Sequence, residues 1–198
     1  CTHLATGHYA RVEQRADGFR VAFTSTHVSA EVDFVWRGEI SGDAAGTVRY
    51  AFTGEARREM LKNRVGLCLL LPVTLAGCQA TVEYVSGDAA EVTFPVRVDP
   101  MQPVRGLHDF RALTFPAGDG LEVKAVFEGD VFEIEDQRNW TDASYKAYST
   151  PQRFPMPAKM RAGQKVGQAV TLALTGGSPP PAVVPGGPET IEIAPGPP

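Results

Sequence analysis

The chain has 198 residues, 43% of them hydrophobic, and 19 Lys and Arg against 23 Asp and Glu give a net charge of −4. That length suits one sizeable β domain, and basic residues scattered along it, instead of gathered into a stripe, argue against a nucleic-acid partner. No apolar run approaches the roughly 20 residues of a membrane-spanning helix; the longest candidate, residues 65–75, is broken by Gly66, Pro72 and Thr74.

The sequence opens on Cys1 with no initiator Met, no basic n-region and no apolar h-region, so no secretory signal is legible and the expectation is a fragment of a cytoplasmic protein. Three cysteines, Cys1, Cys68 and Cys78, are an odd number without metal spacing and agree with a reducing setting. Residues 9–15 and 19–24 flank Asp17-Gly18, a hairpin signal because the turn needs positive φ. Between residues 29 and 40, Ala30, Val32, Phe34, Trp36, Gly38 and Ile40 alternate with mostly polar residues, the pattern of a half-buried antiparallel strand. A turn at residues 41–46 leads into a second alternating run, Val48, Tyr50 and Phe52.

Residues 55–62 have helical composition over only two turns and read better as strand running into loop. The continuous apolar run 65–71, closed by Pro72, predicts a strand covered on both faces, in the middle of a sheet. Short strands follow at 81–85 and 91–98, then a loop containing Pro100 and Pro103, which cannot donate to a ladder. Residues 107–115 and 121–128 predict two more strands around Ala117-Gly118-Asp119-Gly120. Residues 131–135 follow, with Phe132 and Ile134 inward and Glu133 and Glu135 opposite, so that 121–135 forms an edge hairpin. An irregular arm carries Pro151, Pro155 and Pro157, and a last strand spans 164–174. From Thr175 the composition turns to Gly and Pro, a linker or disordered tail. The expected architecture is all-β: an antiparallel β-sandwich of the supersandwich kind with little helix, one domain over residues 1–174, followed by a Pro/Gly-rich tail over 175–198.

The standard catalytic signatures are missing: no G-x-S-x-G, no H-E-x-x-H, no P-loop and no G-x-G-x-x-G, and neither a cofactor nor a metal is expected. His3 and His8 read as surface residues, since a metal site needs a third ligand. His108 and Asp109 are adjacent, so on an extended strand they point to opposite faces and cannot cooperate. Chemistry concentrates instead in residues 135–148, EDQRNWTDASYKAY, which crowd together Glu135, Asp136, Arg138, Asn139, Trp140, Asp142, Tyr145, Lys146 and Tyr148. Two readings stand side by side. In the structural one, Arg138 pairs with Glu135 or Asp136, Thr141 or Asp142 caps a short turn, and Trp140 and Tyr145 plug the end of the sandwich. In the functional one, the aromatic faces stack on a sugar-like ring while Asp136, Asn139, Asp142 and Lys146 hydrogen-bond its hydroxyls. Asn139-Trp140-Thr141 also matches a glycosylation sequon, discounted without a secretion signal.

The run from Glu133 to Tyr148 resembles the signature of the N-terminal β-sandwich domain of the D-apionate lactonase family, bacterial enzymes of apiose catabolism. Asn63-Arg64-Val65-Gly66-Leu67-Cys68, Thr81-Val82-Glu83-Tyr84, Phe94-Pro95, Asp99-Pro100-Met101-Gln102-Pro103 and Phe110-Arg111-Ala112-Leu113-Thr114 are similar in order and spacing. The resemblance covers residues 33–174. It implies a sandwich that precedes a C-terminal TIM-barrel domain in a hydrolase opening a sugar-acid lactone, with the catalytic residues unknown and most of them on the barrel. Glu135, Asp136, Arg138, Asn139, Trp140, Asp142, Tyr145 and Lys146 are then substrate-binding or domain-contact candidates. The alternative is a carbohydrate-binding or structural module that supports a separate catalytic barrel. A sugar mutarotase, which needs a His and a Glu in one cleft, ranks below both, because His108 alone is available in the matched region.

Overall fold

The computed structural model describes residues 9–177. Fourteen strands follow one another: β1 (Tyr9–Arg15), β2 (Gly18–Val28), β3 (Asp33–Asp43), β4 (Thr47–Ala56), β5 (Met60–Lys62), β6 (Cys68–Pro72), β7 (Gln79–Tyr84), β8 (Ala89–Thr93), β9 (His108–Gly118), β10 (Leu121–Glu128), β11 (Phe132–Asp136), β12 (Ser144–Tyr148), β13 (Ala158–Met160) and β14 (Lys165–Gly176). The described helix is confined to two 3-10 turns, Val73–Leu75 and Gln137–Trp140. The main sheet runs β1-β2-β3-β4-β14-β10-β9-β11-β12-β6, with β7 and β8 joined to it through β9, and β13 pairs with β5 in a small second sheet. Every pairing is antiparallel, and the fold is a β-sandwich.

Period-2 alternation builds the first half. On β3, Phe34 and Gly38 are buried and Trp36 half-buried, while Arg37 on the other face is exposed. Phe52 on β4, Val170 on β14 and Ala125 and Phe127 on β10 carry the same inner face into the main core, where they meet Leu71, Val82, Phe94, Leu107, Phe110, Phe132, Ile134 and Tyr145 from the second half. The Phe127 ring lies 5.3 Å from Phe110 and 4.6 Å from Phe132, so three strands lock through one aromatic cluster.

The two halves divide at Gly129. β10 pairs with β9 as far as Val126 opposite Ala112, and β11 resumes along β9 at Phe132 opposite Phe110. Away from β9 the two separate: β10 pairs with β14, and β11 with β12. Gly129 has φ +89°, and a Cβ there would fall on the Gly167 carbonyl oxygen, so glycine is the residue that lets β10 and β11 diverge.

Several expectations are corrected. β10 and β11 do not form an edge hairpin; they share β9 as a neighbour. The apolar run at 65–71 yields only β6, which bonds to β12 alone and leaves Cys68 and Leu70 exposed. Pairing on one side alone makes it an edge strand, and only its alternate side chains Leu69 and Leu71 reach the core. β8 ends at Thr93, and residues 95–98 belong to a loop. β11 is buried along its whole length, Glu133 and Glu135 included, so both faces of the strand are covered. The strands β12 and β13 were not anticipated. The early hairpin and the last strand agree with the register, whereas residues 55–62 run from the end of β4 through a bend into the short strand β5. His3, His8 and all of the tail beyond residue 177 lie outside the described residues.

Candidate functional site

Residues 135–148 span the end of β11, the turn Gln137–Trp140 and β12, and they divide into a buried brace, a second polar cluster and an exposed tip. β11 and β12 face each other in the register Glu133 to Tyr148, Glu135 to Lys146 and Asp136 to Tyr145, so residues on one strand meet chemically matched residues on the other.

Asp136 is fully buried and is held by a bidentate pair with Arg138, Nε to Oδ1 at 2.8 Å and Nη2 to Oδ2 at 2.7 Å. The Arg138 N–H donates to Oδ1 at 3.2 Å, which makes Asp136 the N-cap of the turn, and the Asp99 N–H donates to Oδ2 at 3.1 Å. Burial pushes the Asp136 carboxyl up, but the guanidinium and the two backbone N–H groups outweigh it, and its pKa lies below the ordinary value. The rest of the guanidinium reaches the 95–97 carbonyls: Nη1 donates to Val96 O at 2.9 Å, and Nη2 to Pro95 O at 2.8 Å. Asn139 Nδ2 donates to Asp99 O at 2.6 Å, and the fully buried Tyr145 hydroxyl donates to Pro95 O at 2.7 Å. Four of the predicted residues, Asp136, Arg138, Asn139 and Tyr145, therefore converge on one object, the loop 95–102.

The second cluster surrounds the other two inward carboxylates. Glu135 Oε2 accepts from Lys146 Nζ at 2.8 Å and from Gln137 Nε2 at 3.0 Å, and Oε1 from Gln152 Nε2 at 2.6 Å. Burial raises its pKa, and Lys146, Gln152 and Tyr148 together more than reverse that, leaving it below the usual Glu value. Glu133, 1% exposed, accepts from the Tyr148 hydroxyl at 2.5 Å and from the Gln152 N–H at 2.7 Å. Burial, and then the Glu133 acceptor, hold the Tyr148 hydroxyl protonated far above its ordinary range. Further along the same arm Thr150 donates to Asp130 at 2.8 Å, Arg64 Nε donates to Thr150 O at 3.1 Å, and Arg153 pairs with Asp109. Residues 149–153 are thus strapped over β11 largely by carboxylates.

His108 and Asp109 correct the extended-strand expectation. Asp109 has φ +56°, which turns its carboxylate back so that Oδ2 sits 3.3 Å from His108 Nδ1. The pair is in contact, on a bulged stretch of β9 where Glu133 opposes His108.

The tip is different. Trp140 does not plug the sandwich: it is 57% exposed, and Asn139, Thr141, Asp142 and Ala143 are exposed beside it. Thr141 closes the turn in the left-handed region at φ 66°, and the Asp142 N–H donates to Gln137 O at 3.2 Å. The sequon amide of Asn139 is already engaged by Asp99. A surface concavity of about 1240 Å³ lies over β2, β3 and β4 among Arg37, Glu39, Thr53 and Glu55, and none of the residues 135–148 lines it.

Glu133, Tyr148, Gln152, Arg64, Asp130 and Gln168 make polar contacts that the sequence reading did not assign. The available signal was the E-x-E spacing of Glu133 and Glu135 on a predicted strand, followed by Lys146 and Tyr148 at the same spacing. As chemistry, the ensemble is committed: Asp136 and Glu135, held below their ordinary pKa values, are occupied by protein donors, and the Tyr148 hydroxyl donates to Glu133. It holds backbone in place.

Comparison with known proteins agrees with this domain. Residues 2–177 match the family described as D-apionate lactonase, N-terminal domain. The D-apionate lactonase of Brucella anthropi is 32% identical over 176 residues, which cover 85% of this chain and 27% of that protein. Among solved structures, the Slr1438 protein of Synechocystis sp. PCC 6803 superimposes with a TM-score of 0.54 at 11% identity, over 86% of this chain and 66% of that one. A galactose mutarotase-like protein of Clostridium acetobutylicum gives 0.52 at 7% over 86% and 66%. Galactose 1-epimerase of Lactobacillus acidophilus gives 0.51 at 8% over 86% and 67%. At such identities these structures show a shared fold and nothing more. The chain belongs to the D-apionate lactonase N-terminal domain family, and it spans about a quarter of the curated relative's length.

Proposed function

We propose that this chain is the N-terminal domain of a D-apionate lactonase-like hydrolase of the cytoplasm, in which water opens the ring of a sugar-acid lactone. The observation that carries the reading is the family match over residues 2–177, joined to a relative of which the matched region is only 27%. Lactone hydrolysis needs a base to activate water and donors to hold the developing oxyanion. The residues of the brace are occupied by protein partners, which supports placing that machinery on a C-terminal TIM-barrel domain of the same polypeptide. Expression of residues 1–198 alone, assayed against an aldonolactone beside the full-length protein, tests this. Turnover by the 198-residue chain at the full-length rate would overturn it.

A second reading, a carbohydrate-binding or structural module beside a catalytic barrel, is favoured by one specific feature, the closure of Asp136, Arg138 and Tyr145 onto the 95–102 loop. Trp140→Ala combined with Asp136→Asn in the full-length protein separates the two. Unchanged KM and kcat with a lowered Tm assigns the segment to structure; a raised KM assigns it to substrate.

A further inference from the structure

The brace leaves one consequence on the outside of the molecule. The loop it holds carries Val96, Val98 and Met101, which are 68%, 46% and 71% exposed, and Trp140 stands next to Asn139, whose amide grips the same loop at Asp99. A flexible loop could fold such side chains inward. This one cannot: Arg138 binds its carbonyls at 95 and 96, the Asp99 N–H is bound by Asp136, the Met101 N–H by Asp99 at 2.9 Å, and Gln102 bonds both Asp99 O and the Asp136 N–H. Buried charge is used to fix in place a loop that offers apolar side chains to solvent, with Arg97 and Asp142 exposed around them. An apolar centre with an aromatic anchor and a polar rim is the anatomy of a protein contact.

We infer that Val96, Val98, Met101 and Trp140 form the surface on which a further domain of the same polypeptide docks, and that the exposed tip of residues 135–148 meets protein and not substrate. The occupant is argued from length: the curated relative has nearly three-quarters of its chain outside the matched region. Aliphatic valines, a thioether and an indole suit a protein partner better than a polyol, whose hydroxyls would need directed hydrogen bonds. The inference rests on the multidomain reading above.

Met101 and Trp140 are both oxidation-sensitive, so the surface can be followed without substitutions. Hydroxyl-radical oxidation of the full-length protein and of the 198-residue chain, read residue by residue by mass spectrometry, should show both side chains protected about fivefold or more in the full-length protein. That protection should be unchanged by an added aldonolactone, and oxidation of the shorter chain should not depend on its concentration. Equal rates in the two proteins overturn the inference. So does protection that appears only with the aldonolactone, which would make the surface a substrate site. Protection that grows with concentration of the 198-residue chain overturns it too, since a second copy is then the occupant. Lactone turnover of the same full-length preparation is recorded separately: its absence sinks the lactonase reading and leaves the protection result standing.

Discussion

Replacing Arg138 by Met is the sharpest test of the brace. The substitution keeps the unbranched stem and removes the guanidinium, leaving Asp136 with no accessible surface and no cation within reach. Removing one partner of a buried ion pair costs about 3–5 kcal/mol, because the stranded carboxylate must be desolvated or protonated. The Pro95 and Val96 carbonyls lose their donors as well, so the upper part of that range is expected. For a chain of this size each kcal/mol is worth about 2–4 °C, which places the Tm loss at roughly 6–20 °C. Asp136→Asn in the same background is the control. It removes the stranded charge while its amide oxygen still accepts from the Arg138 position's backbone N–H, so the double variant should be more stable than the sum of the two single losses by at least about 1 kcal/mol. Urea titrations monitored by circular dichroism on all four proteins supply the cycle. An Arg138→Met protein within about 1 kcal/mol of the parent, or strict additivity in the cycle, refutes the claim that a desolvated pair organises this end of the sandwich.

Acid should act through the same carboxylates. Asp136 and Glu135 have folded pKa values below their unfolded ones, so their contribution is present above the unfolded values and is lost as pH falls through the folded ones. Tm should therefore be flat above about pH 5 and fall below about pH 4, with a shallower fall in Asp136→Asn; an identical profile in that variant would contradict the assignment. Tyr148→Phe deprives the buried Glu133 of its hydroxyl donor and should cost about 1–3 kcal/mol in urea unfolding, a loss under about 0.5 kcal/mol arguing that the contact is dispensable. Gly129→Ala combines a positive φ with a Cβ directed at the Gly167 carbonyl, and a thermal melt should register a loss of at least about 2 kcal/mol.

What the sequence disclosed depended on whether one face of a strand stays wet. β3 and β4 alternate because solvent meets one side, and their inward residues Phe34, Trp36, Gly38 and Phe52 are readable from periodicity alone. β11 has no wet side: the arm at 149–153 covers the face that Glu133 and Glu135 present, so charge stands where the pattern predicts exposure. Nothing local identifies that cover, since Gln152 is 17 residues from Glu135 and its role is fixed only by the β11 to β12 register. Arg138 was readable as a partner of Asp136 because they are two apart; its contacts with Pro95 and Val96, more than 40 residues back, were not. The His108 to Asp109 contact was hidden for a different reason. It depends on one non-glycine residue adopting positive φ, a choice that tertiary pairing on both flanks of β9 imposes.

The choice of Arg at position 138 follows from the loop it serves. Residues 95–103 contain Pro95, Pro100 and Pro103, which have no N–H, and the loop joins no ladder, so its carbonyls find few backbone donors nearby. A group rich in donors and without acceptors is required, and a guanidinium supplies five N–H in a fixed plane. Its charge, 15% exposed at the side chain, then demands a carboxylate at the same depth, which Asp136 provides through both oxygens. Lysine in that place has one nitrogen and three donors, too few to span the carboxylate and the carbonyls at 95 and 96 together. Arg138→Lys should consequently release the loop while keeping charge balance with Asp136. Hydrogen exchange at the Asp99 and Met101 amides is expected to quicken more than tenfold, with global unfolding moved much less than in Arg138→Met. Unchanged exchange at those amides would mean that the loop holds its shape without the arginine fork.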